Sequence, residues 1–346
     1  MDTYDGENME IVVPPVLDDG ERKLVLVTHD ETTFDSNDGK RKVWIESGKQ
    51  HLRPKGAGKS IMVSQFMCLC HGHMEVEVTE DILNRYPALK APVSSVAATL
   101  RTITPGKNSD GWWSNQDLVD QLKQTIIVFE ILHPDCVALF AFDNSSNHHK
   151  FAPDALKARY LNKSDGGKNV PLLRPGWFLK DGSRVVHTMQ VSSNGQLKQK
   201  GIQRILQERG LWNCNMQLAA GRQLLDEQPD FASQKEWLEE TVSAQGHRII
   251  FYPKFHPEFN WIEMFWGSTK RYTRKHCTYK FKDLENMIPI ALKVTSLSSM
   301  RKFARKCFRY IDIYASGVQL TPKQIEHAMK KYSSHRRIPA SLLESL

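Results

Sequence analysis

Two short runs of the sequence decide the fold: KLVLVTHDE at residues 23–31 and VALFAFDNSSNHH at residues 137–149. Each is a dense apolar stretch of strand length that stops abruptly at a carboxylate. Period-two alternation sets Leu24, Leu26, Thr28 and Asp30 on one face of the first strand. It does the same for Val137, Leu139, Ala141 and Asp143 in the second. Working outward, Ser60 to Cys70 and Met74 to Val78 read as further strands. Ser114 is a candidate N-cap for a helix from Asn115 to about Ile131, closed by His133 and Pro134. A helix is predicted from Pro153 to Asn162, a hairpin over Leu172–Gln190 around Asp181 and Gly182, and a short helix over Gly201–Arg209. Ser233 and Glu236 have capping-box spacing ahead of another helix. RIIFY at 248–252 reads as a strand. Helices follow from near Asn260 and at about 281–295, 297–314 and 321–332. Residues 84–112 carry no clear pattern. The order predicts an α/β fold with a mixed sheet flanked by helices.

The chain of 346 residues is 40% hydrophobic and 25% charged, which is ample for a large core. The formal charge of +8 is uneven. Residues 264–346 hold 17 basic and 5 acidic side chains, and the rest holds 30 and 34. A near-neutral body with a basic end suits a polyanion partner, most simply nucleic acid, although a basic tail can also serve solubility alone. No apolar run approaches the length of a membrane span. The acidic start MDTYDGENMEIVVPP has neither a secretory nor a transit pattern, so an intracellular, non-secreted protein is expected. Six cysteines are too few for a disulfide scaffold. Residues 1–20 read as a disordered lead, 21–162 and 246–310 as the core, 163–245 as an insertion and 311–346 as a basic helical tail.

Asp30, Asp143 and Glu263 each stand at the end of an apolar element. A carboxylate there costs folding energy unless something compensates it, and a divalent cation is one such compensation. The plainer reading is a turn or cap residue, and Glu263 could complete a capping box with Asn260. The helix after Asn260 sets Glu263, Gly267, Lys270 and Arg274 on one stripe, with Arg271 and Lys275 beside it. These cations suit phosphate contacts or, equally, a solvated basic face. Arg301, Lys302, Arg305, Lys306, Arg309 and the HRR at 335–337 extend the basic surface and are compatible with nuclear import. Trp112 and Trp113 suit packing better than stacking on bases. In CLCHGH, Cys68 and Cys70 would face one side of a strand and His71 and His73 the other, which argues against a zinc site unless a tight turn intervenes.

The segments HDETTF (29–34), FDNSSNHH (142–149) and YPKFHPEFNWIEMFWGSTKR (252–271) together resemble the DDE transposases of the mariner type. Pro253, Pro257, Asn260, Ile262, Glu263 and Trp266 stand where that family has Pro-x-x-Ser-Pro-x-x-Asn-Pro-Ile-Glu and its following Trp. Trp261 replaces a Pro and His256 a Ser. The resemblance covers roughly residues 22–310. It implies a ribonuclease-H-like fold with Asp30, Asp143 and Glu263 as catalytic metal-binding acids, and with Asn144, His148 and Asn260 near them. It further implies two Mg²⁺ or Mn²⁺ ions and hydrolysis followed by 3′-hydroxyl strand transfer. DNA, as transposon ends and target, is the implied partner; a homodimer and a nuclear location in a eukaryote are compatible with it. Glu263 follows Asp143 by 120 residues, more than the few tens usual in the family. Asp30 leaves no room ahead of it for the family's helix-turn-helix modules, so a lost or truncated front segment is expected. A catalytically silent descendant that binds DNA or assembles, and a repair nuclease with the same metal chemistry, are the competing readings.

Overall fold

The computed structural model describes residues 1–40, 42, 52–193, 195–332 and 338. It divides into two compact units, residues 1–148 with 241–346 and residues 149–240.

The first unit is built on a mixed sheet. Its main strands are β1 (Leu24–Asp35), β2 (Ser60–Cys68), β3 (Leu100–Ile103), β4 (Val137–Phe142) and β5 (Arg248–Phe251). Their spatial order is β5-β4-β1-β2-β3, and Gly72–His73 also pairs with β2. β1, β2 and β3 run antiparallel, while β4 lies parallel to β1 and β5 parallel to β4. Three antiparallel strands joined to two parallel ones give the mixed α/β sheet that the strand pattern predicts, flanked by helices. The centre is covered on both faces, so β1 reads as a nearly continuous apolar run rather than a strict alternation.

Helix α1 (Asn115–Leu132) starts at a capping box between Ser114 and Asp117, where the sequence sets its N-terminus. Helix α2 (Ile262–Lys275) buries Ile262, Phe265, Trp266, Thr269 and Thr273, which recur at helical spacing. Each large apolar side chain removed from water contributes about 1.5–3 kcal/mol, so this face fixes the rotation of α2. Helices α3 (Phe281–Lys293) and α4 (Leu297–Ala315) share a core with it through Leu284, Ile288, Leu292, Met300, Ala304 and Cys307. Helix α5 (Pro322–Lys331) follows, and the basic triplet at 335–337 lies outside the described residues.

Several expectations need correction. Residues 1–20 are not a structureless lead: Thr3–Asp5 pairs with Ile11–Val13, and Tyr4 and Met9 are buried in the same core as Phe34 and Trp261. Their acidic composition hid two apolar anchors spaced by a turn. β1 does not stop where its apolar run meets the acids but continues to Asp35, because β2 supplies antiparallel partners beyond the point where β4 ends. The unpatterned region yields β3, a strand of only four residues.

The second unit begins at residue 149, earlier than the expected insertion at 163–245. The hairpin turns at Asp181 and Gly182, between Gly176–Lys180 and Ser183–His187, and a second hairpin joins Gln190–Ser193 to Gln196–Gln199. The helix expected over Pro153–Asn162 is only a 3-10 turn at Ala158–Tyr160. Side chains take the backbone groups a helix would use: Leu156 N–H donates to Gln234 and Ala158 N–H to Asp226. Ser233 does not cap the following helix either, since it closes the short helix Pro229–Ala232 and donates to the Asp230 carbonyl. At the centre of this unit Arg209 and Asp230 form a fully buried two-pronged ion pair of 2.9 and 2.7 Å.

Candidate active site

The register of β1 against β4 pairs Leu24 with Val137 and Thr28 with Ala141. Two residues past that pairing, Asp30 lies on β1 and Asp143 just beyond the end of β4, where its charge acts on Asp30. Asp30 is buried, and its Oδ2 accepts a 3.1 Å hydrogen bond from the indole N–H of Trp266 on α2. The apolar packing that orients α2 therefore also pins the first acid. Glu263, one turn earlier on α2, is on the exposed edge and joins Asp143, Asn144, Tyr252 and Asn260 around a cleft of about 300 Å³.

Electrostatics show how close these groups are. Burial raises the Asp30 carboxyl well above its usual range, and the charges of Glu263, Glu31 and Asp143 add to the rise. Burial and Asp143 raise Glu263 as well, against the pull of Lys270. The oxygens of the three acids do not all lie within 4.8 Å of one another, as the ligand atoms of two other groups among the described residues do.

Asn260 is not the cap of α2. Its side-chain amide donates to the His29 carbonyl at 3.4 Å, and its buried Oδ1 has no partner among the described residues. That arrangement leaves a hard oxygen acceptor unsatisfied beside Asp143 and Glu263, at the cost of burying a polar group. Carboxylate and amide oxygens without sulfur or nitrogen suit Mg²⁺ or Mn²⁺, so the residues fit the implied ions.

Sequence reasoning did not single out Glu31. His148 lies between two carboxylates, with Nδ1 2.5 Å from Asp143 and Nε2 3.8 Å from Glu31. Burial alone would lower the imidazole, but the hydrogen bonds and charges of Asp143 and Glu31 hold it up at about 10. Glu31, also opposed by burial, is held down at about 2 by His29, His148 and the Trp113 indole N–H at 3.0 Å. His29, by contrast, is pushed down to about 4 by burial. Its Nε2 must carry the proton, because the Ser64 hydroxyl 2.9 Å away spends its own on Gln121. At neutral pH the cation of this cluster is thus His148. The clue in the sequence was Glu31 itself, adjacent to Asp30.

The basic residues divide. Lys270 faces Glu263 and sits over the Phe34 ring, while Arg271 and Lys275 are exposed. A side chain at Gly267 would meet open space. Arg274 is not a free cation, since it is paired with Asp38 at 2.9 Å. Arg301 and Arg309 do not extend the basic surface. Arg301 donates to the carbonyls of Met9, Leu69 and Cys70 and stacks on Tyr4, and Arg309 is buried and donates to the Tyr332 carbonyl. Trp113 is tied to Glu31, but Trp112 is 73% exposed rather than packed.

No family model matches the chain, and no curated protein matches it. Solved structures are similar to it, among them two of a transposase. The Mos1 mariner paired end complex with Mn aligns over 86% of this chain and 56% of its own, at 10% identity and a TM-score of 0.43. The Mos1 transposase paired-end complex with left transposon end aligns over 84% and 55%, again at 10% identity and a TM-score of 0.43. The chain thus spans about half the length of the solved chains it resembles.

Proposed function

We propose that the first unit is the catalytic core of a divalent-metal-dependent DNA endonuclease of the DDE transposase type. The observation that carries this reading is the crowding of charge around Asp30, a buried acid raised by burial, Glu263, Glu31 and Asp143. A fold keeps such repulsion when a ligand relieves it.

Asp30, Asp143 and Glu263 would hold two Mg²⁺ or Mn²⁺ ions, with the Asn260 Oδ1 as a further oxygen donor. Ions bound there activate a water or hydroxyl and stabilise the leaving oxygen of a phosphodiester. Trp266 holds the Asp30 carboxylate in one orientation, while His148 Nδ1 bonds the Asp143 backbone carbonyl at 3.0 Å and places its charge 2.5 Å from the Asp143 carboxylate. Lys270, Arg271 and Lys275 provide phosphate contacts that position DNA without reading its sequence. In the reaction, the water oxygen bonds to phosphorus, the bond from phosphorus to the 3′ oxygen breaks, and that oxygen takes a proton. The freed 3′ hydroxyl then attacks a target phosphodiester and displaces its 3′ oxygen. No covalent bond to the protein forms.

Thermal melting tests the site without DNA. Mn²⁺ at a hundred times its dissociation constant should stabilise the protein by about 2.7 kcal/mol, read as a rise in melting temperature. Asp30→Asn removes a charge from the cluster while its amide oxygen still accepts from Trp266. It should melt above the parent in metal-free buffer and gain little from Mn²⁺. The raised Asp30 carboxyl gives the sign with pH: its contribution is fully present below its unfolded pKa and is lost as pH rises through the folded value. The advantage of Asp30→Asn should therefore grow from acid to neutral pH. A parent insensitive to Mn²⁺, with Asp30→Asn no more stable, would count against the reading.

A further inference from the structure

A second group of ligand-type side chains lies at the far end of β2, apart from the acids. β2 ends at Cys68, and residues 69–71 form the tight turn that a zinc reading of CLCHGH requires. Gly72 follows at φ +71°, in the left-handed region, and pairs back onto Cys68. The turn swings His71 round, so alternation along a strand no longer separates it from Cys68. His133, at the C-terminal cap of α1, reaches the same thiol from the other side. The Cys68 sulfur is 3.6 Å from His71 Nδ1 and 3.7 Å from His133 Nε2, and all three ligand atoms lie within 4.8 Å of one another.

Those distances also match a shared metal. In a tetrahedral site with Zn–S near 2.3 Å and Zn–N near 2.05 Å, sulfur and nitrogen stand about 3.6 Å apart. His73 takes no part: its Nδ1 is 2.5 Å from the Gln65 amide and its Nε2 donates to the Leu292 carbonyl at 3.0 Å.

We propose that Cys68, His71 and His133 bind one zinc ion, which clamps the end of β2 to the end of α1. One sulfur and two imidazoles make a soft donor set that selects Zn²⁺ over Mg²⁺. Cys70, whose thiol interacts with that of Cys68 and lies 3.4 Å from the Tyr4 hydroxyl, is a sulfur that could complete the shell. Cys68 and His133 are buried, whereas His71 is exposed and gives the ion its path in. Binding requires the Cys68 thiolate, and the displaced proton goes to solvent.

The test uses the full chain without a polyhistidine tag, in excess Mg²⁺ so that oxygen sites are filled. Zinc is measured after dialysis, and Co²⁺ is added to the metal-free protein as a spectroscopic probe. About one equivalent of zinc should remain, and Co²⁺ should give tetrahedral visible bands with a thiolate-to-cobalt charge-transfer band. Cys68→Ser should cut the charge-transfer band by about half or more, since at most the Cys70 sulfur would remain bound. His71→Ala alters an exposed side chain, so the fold should survive, checked by circular dichroism, while zinc affinity falls at least about tenfold. Absence of retained zinc, an octahedral cobalt spectrum, or a folded His71→Ala that binds zinc like the parent would each overturn the proposal.

Discussion

Glu263→Gln is expected to lower Mn²⁺-dependent nicking of supercoiled plasmid by about a hundredfold or more, with the fold unchanged. The side chain sits on the exposed edge of α2 and makes no contribution to its apolar face, so stability should stay within about 0.5 kcal/mol of the parent. What the substitution removes is charge. A neutral amide compensates a hard cation poorly, though it would serve as a helix cap as well as a carboxylate does. Glu258 provides the control. It lies five residues earlier, paired with His256 at 2.8 Å, and Glu258→Gln should nick like the parent. Equal nicking by all three proteins would remove Glu263 from the site. Absence of nicking by the parent would favour the silent, DNA-binding descendant.

His148→Asn should be the most destabilising single change near the site. It withdraws the cation that lies against both Asp143 and Glu31 and leaves their charges uncompensated there. Breaking a buried ion pair costs about 3–5 kcal/mol, and Glu31 is one-fifth exposed, so about 3 kcal/mol is expected. That corresponds to a fall of about 6–12 °C in melting temperature for a unit of this size. The pH dependence separates this from a packing defect. His148 is raised to about 10, so its stabilising contribution is fully present below the ordinary histidine value near 6.5 and is lost as pH rises through about 10. Glu31 is lowered to about 2, so its contribution is fully present above about 4.5 and is lost as pH falls through about 2. The gap between parent and His148→Asn should be widest between about pH 4.5 and 6.5 and should close towards pH 10. A gap that stays constant to pH 10 would mean that His148 acts through its shape alone.

The parts of this molecule that were legible in the sequence are those governed by local chemistry. α1 begins at Ser114 because a Ser-x-x-Asp box satisfies its first N–H groups, and the Asp181-Gly182 turn closes its hairpin because both residues accept positive φ. β4 and β5 are apolar enough to be read without context. Asp30 and Asp143 were visible because each follows a run that should not end in charge. What was hidden depends on contacts between distant residues. β1 runs past Asp30 only because β2 pairs there. Arg301 and Arg309 look like a basic stripe until the carbonyls they serve are in place. Glu31 gains its role from His148 and Trp113, which lie 117 and 82 residues away. His133 appeared only as a helix stop, and nothing local connects it to Cys68, 65 residues earlier.

The most direct measurement of the central claim is the anomalous scattering of Mn²⁺ in crystals of the protein grown with that ion. The account predicts density between the Asp30 and Asp143 carboxylates, with Glu263 and the Asn260 Oδ1 turned towards it, and loss of that density in Asp30→Asn. Density confined to the His29, Glu31 and His148 cluster, or no bound Mn²⁺ at the acids at all, would contradict it.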